Sequence, residues 1–137
     1  MRRLLTIGVC LCVLAIATAG CGGSLTSQEV SPSGTTTETF TGTLTPGGAQ
    51  THLFVTLSKG AIAATITVIG DDNTRILGMA LGNWTSNACQ ISAANDSAIA
   101  NYTMAATVTA GGNLCARVYD SQGIPDATAY TLVVIHP

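Results

Sequence analysis

The sequence contains few charged and few aromatic residues. Charged side chains make up 9% of the 137 residues, aromatic ones 4%, and the formal net charge is −2. An ordinary soluble domain has about 25% charged residues. Five cations cannot form the basic surface that nucleic-acid phosphates require, so we expect no nucleic-acid partner. Because 47% of the residues are apolar, the chain can build one hydrophobic core and is not expected to be disordered throughout.

Groups that perform catalysis are also scarce. The two histidines are His52, which we expect on a strand surface or edge, and His136, which we expect in a solvated tail. The chain contains no nucleophile elbow, no phosphate-binding loop and no H-E-x-x-H zinc motif. Since nucleophilic catalysis needs a nucleophile, a base and an orienting group close together, we predict no catalytic residues and no enzyme activity.

The N-terminus is predicted to be an export signal. Arg2 and Arg3 precede an apolar run, Leu4–Ala17, which is shorter than the roughly 20 residues of a membrane-spanning helix. The following residues, Thr18–Cys21, resemble the lipobox of bacterial lipoproteins, although Thr18 stands where leucine is usual. That resemblance implies cleavage before Cys21 and acylation of its thiol. The alternative is an ordinary cleaved signal peptide that leaves a soluble secreted protein.

Three segments follow from this interpretation. Residues 1–20 are the predicted signal peptide, 21–39 a flexible tether rich in Gly, Ser and Thr, and 40–137 a folded domain. The membrane, contacted through the N-terminal lipid, is therefore a predicted partner. We expect the domain to face the periplasm or the exterior. Gly22 resembles the residue of lipoproteins that reach the outer membrane in a host with two membranes.

The cysteines of the mature chain predict one disulfide. Cys10 and Cys12 lie in the signal peptide and Cys21 is the predicted lipidation site, so Cys89 and Cys115 remain. Two thiols in an exported protein tend to form a bridge. A metal pair or a redox pair is the alternative, but the chain has no C-x-x-C motif and no cluster of histidines.

Short β-type runs at a spacing of about 11 residues predict an all-β domain, an antiparallel two-sheet sandwich of about eight strands with a jelly-roll-like arrangement. In the third run, Ile62, Ala64, Ile66 and Val68 alternate with smaller or polar residues and are predicted to face the core. The predicted strands are Phe40–Leu44, Thr51–Leu57, Ala61–Ile69, Ile76–Trp84, Ala88–Ala93, Tyr102–Thr109, Leu114–Tyr119 and Tyr130–His136.

Two of the intervening segments receive specific predictions. Ala110–Asn113 contains two glycines and looks like a hairpin turn between the sixth and seventh strands. Asn95–Ser97 is predicted to be a loop after the fifth strand.

Two groups are candidate ligand sites. Asp71, Asp72 and Asn73 offer oxygen atoms of the kind that calcium prefers, but Asp and Asn also favour turns by bonding to their own backbone, and we favour the turn. Apart from calcium at this site, we predict no cofactor. Trp84, the only tryptophan, either stacks on a sugar ring or fills the core near the disulfide, and we favour the core.

Three stretches resemble bacterial pre-peptidase C-terminal domains. The first comprises Phe40–Leu44 and the two segments that follow it, His52–Val55 and Lys59–Ala61. The second is Ala110–Asp120, and the third is Tyr130–Val134. The resemblance implies a compact β-sandwich of the kind appended to secreted enzymes, some relatives of which bind calcium or polysaccharide-like polymers. We expect no peptidase in this chain.

The sequence therefore predicts a non-catalytic lipoprotein of the cell envelope that displays a β-sandwich for binding or for envelope structure. The alternative is a carbohydrate- or polymer-binding accessory module of a secreted degradation system, with calcium as a possible aid. An extracellular polysaccharide or a protein is the corresponding expected partner.

Overall fold

The computed structural model describes residues 34–71 and 73–137. The predicted signal peptide, Cys21 and most of the predicted tether lie outside these residues. Within them all regular structure is β-strand, and no helix is long and apolar enough to cross a membrane. The strands are β1 Thr36–Leu44, β2 Ala49–Thr56, β3 Gly60–Ile69, β4 Leu77–Thr85, β5 Ala88–Ala98, β6 Tyr102–Val108, β7 Gly112–Tyr119 and β8 Thr128–His136.

The eight strands form two four-stranded antiparallel sheets, which confirms the predicted sandwich. One sheet has the strand order β1-β8-β3-β6 and the other has the order β2-β7-β4-β5. Only β4 and β5 form a hairpin, because every other connection between consecutive described strands passes from one sheet to the other. Eight strands divided between two sheets in this interleaved order form a jelly roll.

The core lies between the sheets and follows the alternation of apolar residues predicted from the sequence. Ile62, Ala64 and Ile66 of β3 are buried, as expected. The prediction for Val68 is wrong: this side chain is exposed, and Ile69 is buried in its place. A register irregularity between Ile66 and Val68, where β3 pairs with β8, adds one residue and reverses the alternation.

Three further boundaries differ from the sequence predictions. The segment Ala110–Asn113 does not close a hairpin, because β6 and β7 belong to different sheets. Asn95–Ser97 is not a loop but the last part of β5, paired with the start of β4. Strand β1 begins at Thr36, four residues inside the range that the sequence assigns to the tether, because Thr36 already pairs with His136 of β8.

The antiparallel strands give the sandwich two ends. We call the end at which β1 begins the proximal end and the opposite one the distal end. The connections at the proximal end are 57–59, 86–87 and 109–111. The connections at the distal end are 45–48, 70–76, 99–101 and 120–127.

Candidate functional site

The solvent-facing side of the sheet β2-β7-β4-β5, which we call the outer face, carries an apolar row. Leu53 of β2 lies opposite Cys115 of β7, which lies opposite Gly82 of β4, which in turn lies opposite Ile91 of β5. Leu53 and Ile91 are each about half exposed, and so is Val55, the next outward residue on β2. Apolar side chains that share one exposed sheet face mark a candidate interaction surface.

The predicted disulfide is present at the centre of this row. Cys89 and Cys115 are bonded, with their Cα atoms 5.8 Å apart. Their strands, β5 and β7, are not neighbours, because β4 lies between them. Since adjacent strands lie about 4.8 Å apart, second neighbours in a flat sheet would be separated by nearly twice that distance. Strand β5 must therefore bend over β4 to reach β7.

Gly82 makes this bend possible. It is buried, and a Cβ atom at this position would collide with the carbonyl oxygen of Gln90 in β5. The pairing of β4 with β5 is irregular at the same place, between Leu81 and Gly82. The absence of a side chain at Gly82 thus lets the backbone of β5 lie close against β4 at this point.

Trp84 lies on this outer face and not in the core that we favoured. It is partly exposed and lies opposite Cys89, as its predicted proximity to the disulfide suggested. The alternation of β4 explains its direction: Leu77, Met79 and Leu81 face the core, so the even-numbered residues face outward. The indole therefore stands beside the apolar row, next to the disulfide.

Polar groups border the outer face towards the distal end. The Tyr119 hydroxyl donates a hydrogen bond to the carboxylate of Asp96, whose backbone carbonyl accepts hydrogen bonds from the side chains of Ser121 (2.7 Å) and Gln122 (3.1 Å). Burial, and then the hydrogen bond to Asp96, raises the pKa of Tyr119 to about 12. This tyrosine is therefore a protonated hydrogen-bond donor near neutral pH and not a nucleophile.

Asp120 organises the neighbouring distal loops. One carboxylate oxygen accepts the N–H of Gly47 at 2.7 Å, and the other accepts the N–H groups of Gln122, Gly123 and Ile124. These hydrogen bonds, that of Gly47 first, lower the pKa of the carboxyl group. The Asp120 carboxylate thus holds two distal loops together through four backbone hydrogen bonds.

His52 belongs to a polar cluster between the sheets. Its Nε2 lies 2.6 Å from the hydroxyl of Tyr130, which donates at 2.8 Å to Oε1 of Gln50, and its ring stacks on Phe40. Because the tyrosine proton is used on Gln50, Nε2–H of His52 is the donor to Tyr130. Burial lowers the pKa of His52 and raises that of Tyr130 to about 12.

This cluster links the edge strands β1 and β2 and is structural. β2 is the edge strand of its sheet, which confirms the edge position predicted for His52. Tyr130 is only 2% exposed, so no substrate can reach the hydroxyl that His52 contacts. The neutral imidazole therefore contributes hydrogen bonding and ring packing.

The prediction that His136 lies in a solvated tail is wrong. The residue is 2% exposed, its Nε2 lies 3.0 Å from Glu38 Oε1, and its ring centroid is 5.3 Å from that of Phe54. Strand β8 extends to His136 and pairs with β1 over its whole length, which brings Glu38 beside the ring. Both histidine side chains thus make structural contacts.

Two of the candidate calcium residues, Asp71 and Asn73, lie in the distal connection between β3 and β4. Asn73 has a positive φ of 57°, and its side-chain oxygen accepts the N–H of Ile69 at 2.8 Å, as turn chemistry requires. Asp71 is exposed, and Asp72 lies outside the described residues. Among the residues that the structure describes, no three His, Cys, Asp or Glu side chains are grouped to hold a metal ion.

A small cavity of about 110 Å³ lies between the sheets. Its apolar lining includes Phe54, Ile62, Leu81 and Val108. Ligand pockets usually measure about 300–1,000 Å³, so this space suits a small apolar group and is too small for a sugar chain. This cavity therefore does not accommodate a large partner.

Comparisons with known proteins do not assign the chain to a family. No protein-family model matches it. No curated protein matches it either.

Proposed function

We propose that the protein is a non-catalytic lipoprotein of the cell envelope whose β-sandwich binds a partner through its outer face. The single observation that carries the binding role is the exposed apolar row from Leu53 to Ile91, centred on the disulfide. A soluble domain gains no stability from apolar side chains left in water, whereas a partner can cover them.

The structural hydrogen bonds made by the titratable side chains support a non-catalytic role. Within the described residues, His52, His136 and Asp120 each make hydrogen bonds that hold strands or loops together. Tyr119 and Tyr130 both have pKa values raised to about 12 and remain protonated near neutral pH. None of these groups forms the nucleophile, base and orienting group that acyl or phosphoryl transfer requires.

Anchoring through Cys21 is supported by the lipobox-like residues Thr18–Cys21. Each buried methylene of an acyl chain contributes about 0.8 kcal/mol, so two or three chains on one cysteine hold a protein on a membrane. The test is metabolic labelling of the full chain with a palmitate analogue. We expect label and membrane fractionation for the native sequence and their loss in Cys21→Ala.

Cys12→Ala is the matched control for that experiment, because Cys12 belongs to the predicted signal peptide. This variant should be labelled like the native chain. Label retained by Cys21→Ala, or absent from the native chain, would refute the lipid anchor and leave the secreted alternative.

A polysaccharide is the second candidate partner, and the position of Trp84 favours it. A partly exposed indole on a sheet face can stack on a sugar ring, and Asn113, on the same face of β7 and opposite Val55, adds an exposed polar group. In this candidate function the domain keeps a polymer near the cell. The resemblance to pre-peptidase C-terminal domains supports it, because that resemblance implies that some relatives bind polysaccharide-like polymers. Of the predicted calcium residues, Asp71 and Asn73 lie in the distal connection between β3 and β4 and would have to act there, and Asp72 lies outside the described residues.

The fluorescence of Trp84 tests this candidate directly, because the chain has no other tryptophan. A panel of soluble polysaccharides, with and without calcium, should include one that shifts the emission and retards the protein in an affinity gel. Trp84→Ala should abolish the retardation, and Trp84→Phe should preserve part of it because phenylalanine keeps an aromatic face. No shift across the panel would reject a polysaccharide partner.

A further inference from the structure

The chain enters and leaves the sandwich at the proximal end. Thr36, the first residue of β1, lies opposite His136 at the end of β8. Gly60, the first residue of β3, approaches Pro137 so closely that a Cβ atom there would meet the proline ring at 2.6 Å. The segment that leads to Cys21 therefore joins the domain beside the turn between β2 and β3.

That turn presents an unusual pair of side chains. Leu57 is 75% exposed, more than any other large apolar residue in the described part of the chain. Lys59, two residues later and exposed, is the only lysine of the whole sequence. An apolar side chain next to a cation is the combination that an anionic lipid surface attracts.

Charge is distributed unevenly between the two ends. The described proximal connections contain Lys59 and no carboxylate side chain. The nearest carboxylate side chain is that of Glu38 on β1, which lies 3.0 Å from Nε2 of His136. At or near the distal end lie four described carboxylates, Asp71, Asp96, Asp120 and Asp126. Two cations accompany them: Arg75, which pairs with Asp126 at 2.7 Å, and Arg117 on β7. A negatively charged surface therefore repels the distal end more strongly than the proximal end, where Lys59 can approach anionic headgroups.

The length of the segment between Cys21 and Thr36 also favours contact of the proximal end with the membrane. Fourteen residues separate Cys21 from Thr36, and a chain of that length would span about 21 Å on average if it is flexible as the sequence predicts. Strand β1 has nine residues and is therefore roughly 30 Å long. For the distal end to touch lipid, the segment would have to extend back along the whole sandwich.

From these observations we infer that the proximal end of the sandwich rests on the membrane, with Leu57 in the headgroup region and Lys59 against anionic lipid. The inference rests on the proposed anchoring at Cys21. In this orientation the strands stand upright, the acidic distal loops point away from the lipid, and the outer face remains open to a partner.

Labelling of lysine in the vesicle-bound protein tests this orientation. The lipidated full chain carries the substitution Ala127→Lys, which adds a reference lysine at an exposed position of a distal loop. It is reconstituted into vesicles of phosphatidylcholine and phosphatidylglycerol and treated with an amine-reactive reagent, and the labelled peptides are quantified by mass spectrometry. We expect Lys59 to react several-fold more slowly on vesicles than after release by detergent, whereas the reference lysine reacts equally in both.

The substitution Leu57→Glu, at an exposed position, should restore the labelling of Lys59 on vesicles while the protein still floats with them. Lys59 reacting as freely as the reference lysine in floated protein would overturn the orientation and leave the anchor in place. Protein that fails to float with vesicles would overturn the anchor itself and the orientation with it.

Discussion

At the scale of single residues, the polar side chains buried in the sandwich are Thr56, Thr128 and His136. Two of them make hydrogen bonds: the Thr128 hydroxyl donates to the carbonyl of Asp126, and His136 contacts Glu38. The Thr56 hydroxyl has no hydrogen-bond partner among the described residues, although the side chain is 1% exposed. A buried polar atom without a partner loses its bonds to water and gains nothing in return.

Replacing Thr56 by valine should therefore stabilise the protein. Thr56→Val keeps the β-branched shape that suits a strand and removes the unpaired hydroxyl, so we expect the free energy of unfolding to rise by about 1 kcal/mol. Denaturation by urea measures the change. Thr128→Val is the matched control, because it removes a hydroxyl that is hydrogen-bonded and should lower stability. A fall in stability for Thr56→Val would contradict the interpretation.

The lowered pKa of His52 makes stability depend on pH. In the folded protein the imidazole resists protonation, whereas in the unfolded chain it takes up a proton as the pH falls through about 6.5. The unfolded state then binds more protons than the folded state, so the free energy of unfolding should fall as the pH decreases from about 7 towards 5.

His52→Gln should flatten that dependence, since glutamine does not titrate. Unfolding midpoints in urea, measured at several pH values for both proteins, give the two slopes. NMR titration of the His52 ring protons provides an independent check, with a midpoint expected below that of an ordinary histidine. A midpoint at or above the ordinary value would refute the effect of burial.

At the scale of strands and their connections, the bend of β5 over β4 depends on a single glycine. Gly82→Ala places a methyl group against the carbonyl oxygen of Gln90, and the β5 backbone can give way only by straining the disulfide-linked segment. We expect a loss of about 1–3 kcal/mol in the free energy of unfolding, measured by urea denaturation.

Gly112→Ala serves as the control, because a Cβ atom at this exposed position has no neighbour within 4 Å. Its effect should stay within about 0.5 kcal/mol. Equal losses in the free energy of unfolding for the two alanine variants would contradict a special requirement for glycine at position 82.

The strands were largely predictable from the sequence. Where the observed strands differ from the predicted ones, the difference has a local cause. The alternation of Ile62, Ala64 and Ile66 predicts β3, because one face of a sandwich strand must be apolar. Nothing in the sequence marks the register irregularity that turns Val68 outward, since a bulge is set by the pairing of β3 with β8. Likewise, two glycines in Ala110–Asn113 predict a turn without specifying whether the strands pair or separate.

At the scale of the whole molecule, the disulfide connects two strands that share a sheet without being neighbours. The bridge closes a loop of 26 residues. The chain-entropy model gives roughly 3.5 kcal/mol of stabilisation for that length, because the bridge restricts the unfolded chain.

The mature protein with Cys89→Ser and Cys115→Ser should therefore unfold at a lower urea concentration, with a loss of that order. Reduction of the native protein should produce a similar shift, which separates the loss of the bridge from the effect of the new side chains. A thiol titration of the unreduced protein should find neither cysteine free. Two reactive thiols would contradict the bridge.

The sequence alone determined the fold class, the disulfide pair and most strand positions, because these depend on local alternation of apolar residues and on the number of cysteines. It also showed the scarcity of catalytic groups. Only the tertiary structure decided where the side chains meet. It placed Trp84 on the outer face and His136 in a buried contact with Glu38, both of which depend on how strands distant in the sequence pair. It also placed Leu57 and Lys59 at the end where the chain enters, since the order of antiparallel strands fixes which loops lie together.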